Sequence, residues 1–120
     1  ALDAGVPLER LTLSSDGNGS MPKFNENNEL IGLTAAAPRY LYEEMLSIVK
    51  AGVLPFDKAL QLITCNVADA LKLEDKGRIA VGKDADLIVW NDDLTLNKVF
   101  ARGRLMVDEW QAVVKGTFEN

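Results

Sequence analysis

The sequence predicts an α/β fold in which helices are followed by short strands, and three features of its 120 residues indicate this. Residues 11–14 alternate apolar and hydroxyl side chains, which is typical of a short strand. Residues 38–51 and 55–64 carry apolar side chains at helical spacing. From residue 76 onward, short apolar runs separated by glycine and asparagine turns indicate strands.

The first predicted strand leads into a carboxylate, Asp16, and then into a turn that holds Gly17, Asn18 and Gly19 and ends at Ser20. A carboxylate at a strand end, followed by backbone that a ligand can approach closely, suits a site of chemistry. Asp-Gly and Asn-Gly are also among the commonest turn dipeptides. Taken alone, these residues therefore favour an ordinary surface turn.

The segments on either side of this strand and turn are predicted to be irregular. Gly5 and Pro7 interrupt residues 1–10, which we interpret as a helix end or a connector. Residues 21–32 are polar and rich in asparagine, so we expect a loop that either covers a site or is disordered.

The first helix is predicted over residues 38–51, with Thr34 as its N-cap and Gly52 as the residue that ends it. Its apolar stripe consists of Leu41, Met45, Ile48 and Val49. This stripe predicts that one face of the helix is buried.

The second helix is predicted to begin at Pro55 and to end near Cys65 and Asn66, with a further helical turn over residues 67–73. Its buried face is predicted to consist of Phe56, Leu60, Ile63 and Val67. Because the chain has no histidine that could activate Cys65, we interpret this cysteine as a small buried apolar residue.

The remaining strands are predicted over residues 87–90, 96–101, 105–107 and 112–115. The second and third of these flank Arg102, Gly103 and Arg104, which indicates a hairpin.

Composition excludes several classes of function for this chain. The formal net charge of −5, without a basic stretch, argues against nucleic acid or an anionic membrane as a partner. The absence of histidine excludes histidine-based catalysis and histidine metal ligands within these residues. No apolar run approaches the length of a membrane span, and a single cysteine fits a cytoplasmic protein. The first residue is Ala rather than Met, and we expect a fragment of a longer protein.

Residues 77–89, Gly-Arg-Ile-Ala-Val-Gly-Lys-Asp-Ala-Asp-Leu-Ile-Val, resemble the C-terminal hallmark of the amidohydrolase superfamily. The glycines permit two tight turns, Asp86 can accept hydrogen bonds from nearby backbone N–H groups, and the apolar run adds a strand. The resemblance identifies a scaffold rather than a chemistry.

Two further stretches resemble the isoaspartyl (β-aspartyl) dipeptidase family: residues 13–20, and the tail over residues 99–107 and 114–119. The resemblance implies the C-terminal part of a metal-dependent (β/α)₈ barrel, with the barrel end over residues 1–72. It also implies that residues 73–120 are the C-terminal part of a small β-sandwich domain.

The same resemblance implies roles for the residues of the turn. Asp16 would bind one metal of a two-zinc centre and act as general acid and base. Ser20 would bind the α-carboxylate of a β-aspartyl dipeptide substrate, and Gly17 and Gly19 would let the loop close on it. The family's other zinc ligands include several histidines, which this chain lacks. We therefore expect the isolated chain to be inactive and to retain no zinc.

Two alternatives stay open at this point. The first is another amidohydrolase, of the dihydroorotase or deacetylase type. The second is a non-catalytic α+β module whose hairpins mediate assembly. In each case the predicted apolar stripes and strand edges favour a homo-oligomer.

Overall fold

The computed structural model describes residues 1–117, which divide into two compact units, Ala1–Val67 and a second unit that begins at Ala68. The first unit contains β1 (Ser20–Phe24), β2 (Leu30–Ala35), α1 (Tyr40–Lys50) and α2 (Phe56–Gln61), and α3 (Cys65–Leu71) follows. The second unit contains β3 (Leu87–Trp90), β4 (Leu96–Ala101), β5 (Arg104–Asp108) and β6 (Gln111–Ala112). The predicted domain boundary after residue 72 stays a prediction.

Residues 11–14 do not form the predicted strand, although the backbone at Leu11 is extended, with φ −102° and ψ 138°. The Leu13 N–H donates to the Leu62 carbonyl at the end of α2, over 3.0 Å, and not to a strand. A strand needs a hydrogen-bonded neighbour, and none of the strands in residues 1–117 pairs with this segment.

Residues 21–32 are not a loop, because most of them belong to an antiparallel hairpin of β1 and β2 in which Ser20 pairs with Ala35 and Pro22 with Leu33. The asparagines form its turn. The side-chain oxygen of Asn25 accepts the backbone N–H groups of Asn27 and Glu29, both at 2.9 Å. The asparagines therefore correctly indicate a turn, but they do not indicate the strands on either side of it. Closure of the turn by Asx hydrogen bonds lets the flanking apolar residues pair.

Helix α1 starts later than predicted, at Tyr40, and Thr34 lies in β2 rather than at an N-cap. Its predicted end is confirmed. Gly52 has φ +68° and donates its N–H to the Val49 carbonyl at 3.0 Å, while the next residue bonds back to Ile48 at 3.1 Å. These two bonds form a Schellman motif.

The buried residues of the first unit lie along α1, α2, the start of α3 and the end of the hairpin. The apolar ones are Ala36, Met45, Ala59 and Leu62, and the polar one is Asn66. The stripe predicted for α1 is thus centred on Met45, which is fully buried. Ala59 on α2 and Leu62 directly after it are buried, whereas the predicted Phe56, Leu60 and Ile63 are half-buried.

Cys65 and Asn66 begin α3 and do not end the preceding helix. The helix ends at Leu71, and Lys72 adopts a φ of +56° directly after it. A single helix therefore replaces the predicted helix end and the separate turn over residues 67–73. No helix in residues 1–117 combines the length and apolar character that crossing a membrane requires.

The second unit is a four-stranded antiparallel meander in the order β3-β4-β5-β6. The three predicted strands over residues 87–90, 96–101 and 105–107 are confirmed, as is the hairpin turn at Arg102 and Gly103. The predicted last strand is shorter and earlier, at Gln111–Ala112, because Glu109 and Trp110 both adopt positive φ and make a two-residue turn. Phe118 and Glu119, part of the resembling tail, lie outside the described residues.

A network of charges joins the hallmark turns to the β4–β5 hairpin. The Lys76 ammonium contacts the Asp84 carboxylate at 2.7 Å and the Asp86 carboxylate at 2.5 Å. Asp86 also accepts the Arg102 backbone N–H at 2.7 Å, as its position in the sequence led us to expect. The hydrogen bond from Lys76, followed by that from Arg102, lowers the pKa of Asp86 below its usual value.

We predict that Asp86→Asn weakens the pH dependence of stability in acid. A carboxyl with a lowered folded-state pKa stabilises the fold above its unfolded-state pKa of about 3.9, and this contribution is lost as the pH falls through the folded-state value. The difference in unfolding free energy between wild type and variant should therefore be largest above about pH 5 and shrink towards about pH 2. Urea denaturation across this range measures it. Asp92→Asn, at an exposed carboxylate, is the matched control. If the difference in unfolding free energy between wild type and Asp86→Asn stays constant with pH, the prediction is wrong.

Candidate functional site

Asp16 lies at the end of the extended segment in the left-handed region, with φ +48°. Its backbone N–H donates to the Ser14 hydroxyl at 3.3 Å. The residue is exposed, and within residues 1–117 its carboxylate takes part in no hydrogen bond or ion pair. A non-glycine residue in this backbone region is uncommon, although aspartate tolerates it better than most. The chain thus presents an exposed carboxylate, one oxygen of which, Oδ2, lies over Gly19.

The turn after Asp16 is closed by backbone hydrogen bonds at both of its ends. The Gly19 N–H donates to the Asp16 carbonyl at 2.8 Å, and the Asn18 N–H donates to the Ala36 carbonyl at 2.9 Å. Ala36 returns a bond of 2.9 Å to the Gly19 carbonyl. The turn is therefore fixed to the end of the hairpin, one residue beyond the pair formed by Ser20 and Ala35.

Ser20 is the first residue of β1 and is exposed. The structure therefore places the two predicted polar site residues, Asp16 and Ser20, on opposite sides of one tight turn, with the two predicted glycines between them. A ligand that approaches this turn can meet a carboxylate and a hydroxyl group.

The two glycines of the turn differ in what they permit. A Cβ atom at Gly19 would lie 2.6 Å from the Asp16 Oδ2 atom and 2.8 Å from the Asp16 carbonyl oxygen, so no side chain fits there. A Cβ atom at Gly17 would meet only the Ser15 hydroxyl at 3.4 Å and Pro38 at 3.6 Å, which are ordinary contacts. The positive φ values of the turn fall on Asp16 and Asn18. Gly19 is therefore required by close approach rather than by a left-handed backbone.

One residue that contacts the segment before this turn was not predicted from the sequence as part of the site. Asn66 is 4% exposed, and its amide group bonds to two carbonyls of the segment that leads to Asp16. An isolated asparagine next to a predicted helix end carried no signal of this contact, because the two carbonyls lie more than fifty residues away in sequence.

The residues present do not complete a metal centre. Within residues 1–117, no group of three or more cysteine, aspartate, glutamate or histidine side chains is arranged to hold a metal ion. The free carboxylate of Asp16 could supply one ligand position, whereas zinc sites use three or four protein ligands. A metal bound at Asp16 would need further ligands from outside the described residues.

Residues 1–106 match the family described as the Amidohydrolase family. The chain belongs to the amidohydrolase family. Its members are hydrolytic enzymes that generally bind metal ions. The predicted superfamily is therefore confirmed, and its hallmark lies on the turns and the strand joined by the charge network of Asp86.

Among solved structures, this amidohydrolase chain is similar to the beta-aspartyl dipeptidase of Fervidobacterium islandicum AW-1, solved in complex with a beta-Asp-Leu dipeptide. The identity is 30%, the TM-score is 0.79, and the match covers 98% of this chain and 31% of that chain. The N-acetylglucosamine-6-phosphate deacetylase of Thermotoga maritima shares the fold, with a TM-score of 0.65 and 19% identity over 85% of this chain and 32% of that chain.

Among curated proteins, the imidazolonepropionase of Anaeromyxobacter sp. (strain K) is 37% identical over 89 residues, which is 74% of this chain and 17% of that protein. The chain therefore spans less than a third of the length of these relatives. The predicted fold class, a C-terminal part of an amidohydrolase, is confirmed.

We predict that Gly19→Ala perturbs the turn and that Gly17→Ala does not. The added methyl group at position 19 clashes with backbone and carboxylate atoms of Asp16, and forced overpacking typically costs about 1–3 kcal/mol. At position 17 the same methyl group makes ordinary contacts. Urea denaturation of the two variants measures the difference. Equal unfolding free energies would contradict the prediction.

Proposed function

We propose that the protein to which this chain belongs is a zinc-dependent isoaspartyl dipeptidase that hydrolyses β-aspartyl dipeptides. The observation that carries the proposal is the free carboxylate of Asp16 at the start of a closed turn. The resemblance over residues 13–20 assigns this position to the catalytic aspartate of the family. The structural match to a beta-aspartyl dipeptidase over 98% of the chain supports the same substrate class.

The proposed role of Asp16 is proton transfer. Its carboxylate takes a proton from the attacking water and gives it to the amine that leaves when the isopeptide bond breaks. The carboxylate has no ion-pair partner among the residues that the structure describes, which suits this role because no such pair has to break before the proton binds. Zinc, held at Asp16 together with ligands from the rest of the protein, would supply Lewis-acid activation at neutral pH.

The proposed role of Ser20 is to bind the substrate. Its exposed hydroxyl group can donate a hydrogen bond to the α-carboxylate of the substrate. Gly17 and Gly19 add no side chain of their own to the intervening turn, and the space beside Gly17 is open enough for a ligand to approach the backbone there. The turn thereby combines an acid–base group with a group that orients the substrate.

A deacetylase is the second candidate, since a deacetylase shares the fold. The dipeptidase is preferred because its structure matches more of the chain with a higher TM-score, 0.79 against 0.65. We further propose a cytoplasmic homo-oligomer. The single cysteine and the exposed apolar side chains of Phe24, Leu30 and Leu33 on the hairpin support this.

We predict that Asp16→Asn abolishes turnover in the full-length protein. Asparagine keeps the shape but cannot carry the proton, so kcat for β-Asp-Leu should fall by about 10²- to 10⁴-fold. The assay compares β-Asp-Leu with α-Asp-Leu and with N-acetylglucosamine-6-phosphate, and residues 1–120 alone should hydrolyse none of them. Asp57→Asn, at an exposed carboxylate of α2, is the matched control. Wild-type activity on the acetylated sugar alone would replace the dipeptidase with the deacetylase.

We predict that Ser20→Ala raises KM for β-Asp-Leu and leaves kcat within about threefold. A hydrogen bond to a charged group is worth about 1.5–3 kcal/mol, which corresponds to a KM increase of about ten- to a hundredfold. Steady-state kinetics of the full-length protein measures both constants. Ser47→Ala, on the exposed side of α1, is the control. A loss confined to kcat would assign Ser20 to the chemical step instead.

A further inference from the structure

Asn66 is the one buried polar side chain in the part of the chain that the structure describes. Its Nδ2 atom donates to the Leu8 carbonyl at 2.7 Å and to the Leu11 carbonyl at 2.9 Å. Buried polar groups remain in folded proteins where they are satisfied, and removal of the donor would leave both carbonyls without this partner. The side chain therefore joins the start of α3 to the segment that precedes Asp16.

The orientation of this amide group follows from its neighbours. The two carbonyls can only accept, so the NH₂ end of the amide must face them. The oxygen end then faces the Cys65 thiol, with the Sγ atom at 3.7 Å from Oδ1. All three contacts agree on a single orientation, which fixes the side chain at both ends of the amide.

The segment from Leu8 to Asp16 depends on few contacts. It pairs with no strand among the described residues, and the Leu13 N–H bonds only to the Leu62 carbonyl. Beyond Asp16, the turn is held by Ala36. The backbone on either side of Asp16 is thus held by Asn66 and Leu62 before it and by Ala36 after it, and among these three only Asn66 acts through its side chain.

We propose that Asn66 is a positioning residue for Asp16. It holds the backbone before Asp16 so that the carboxylate points to the place where a proton must be collected and delivered. This inference rests on the proposed function of Asp16. Proton transfer requires hydrogen-bond distance to the reacting atoms, and small misplacements of a catalytic group lower turnover steeply.

The test uses Asn66→Ala in the full-length protein, with Asn27→Ala, at an exposed asparagine of the hairpin turn, as the matched control. Kinetics with β-Asp-Leu are expressed per mole of folded protein. We expect kcat to fall about ten- to a hundredfold while KM stays within about twofold.

Amide hydrogen exchange gives a second measurement that needs no activity. In Asn66→Ala, the Asn18 and Gly19 amides should exchange at least about tenfold faster relative to the Met45 amide of α1. A kcat per folded protein equal to that of wild type would overturn the inference and leave Asn66 a support of the fold alone. Unchanged exchange at Asn18 and Gly19 would overturn it as well.

Two further outcomes are separated by this design. If the wild-type protein hydrolyses no β-aspartyl dipeptide, the proposed function fails, and the exchange measurement alone decides whether Asn66 holds the turn. If Asn66→Ala does not fold, Asn66→Ser is measured in its place, since a hydroxyl can donate to one of the two carbonyls. The same changes, smaller in size, are then expected, and their absence overturns the inference.

Discussion

The backbone before Asp16 has to be satisfied without a neighbouring strand, and the first unit is arranged around this constraint. Buried backbone N–H and C=O groups need partners. Leu11 and Leu13 find theirs on Asn66 and on the Leu62 carbonyl, both of which belong to the helical part of the chain. The helices therefore do more than cover a core built on Met45 and Ala59, because they also fix the path of the chain that carries the candidate carboxylate.

In the second unit, charged side chains join segments that are not paired as strands. Its turns before β3 and the hairpin between β4 and β5 are joined at Asp86, which accepts from both the Lys76 ammonium and the Arg102 backbone. A second contact, from Asp69 to Arg78, is bidentate, with both nitrogen–oxygen distances at 2.7 Å. Exposed pairs of this kind contribute little individually, so their main effect is to specify one conformation of the turns.

Much of the second unit could be predicted from local sequence, whereas less of the first could. The β-branched run at residues 87–90 and the Arg102–Gly103 turn are local signals, and both elements formed where expected. Gly52 likewise marked a helix end through its own backbone preference. The hairpin of β1 and β2 was missed because Pro22 interrupts its alternation and three nearby asparagines dominate its composition.

The candidate site shows the same division between local and distant causes. Asp16, the turn and Ser20 could be proposed as a site from the sequence, because they follow one another within a few residues. The close approach that excludes a side chain at Gly19 is a property of the folded turn. The contact from Asn66 spans more than fifty residues, and no periodicity or dipeptide reports such a distance.

The Asp16 carboxylate lies in a closed turn and makes no hydrogen bond or ion pair within residues 1–117, and this has a physical implication. An exposed aspartate in a purely structural turn would normally accept hydrogen bonds from the backbone that follows it, as Asp93 does from Thr95 at 3.0 and 2.6 Å. Asp16 sits in a comparable turn and does not, because its backbone carbonyl rather than its carboxylate closes the turn. At this position the carboxylate oxygens therefore do not take part in the hydrogen bonds that close the turn. The carboxylate therefore stays free of hydrogen bonds within residues 1–117, as the proposed acid–base role would require.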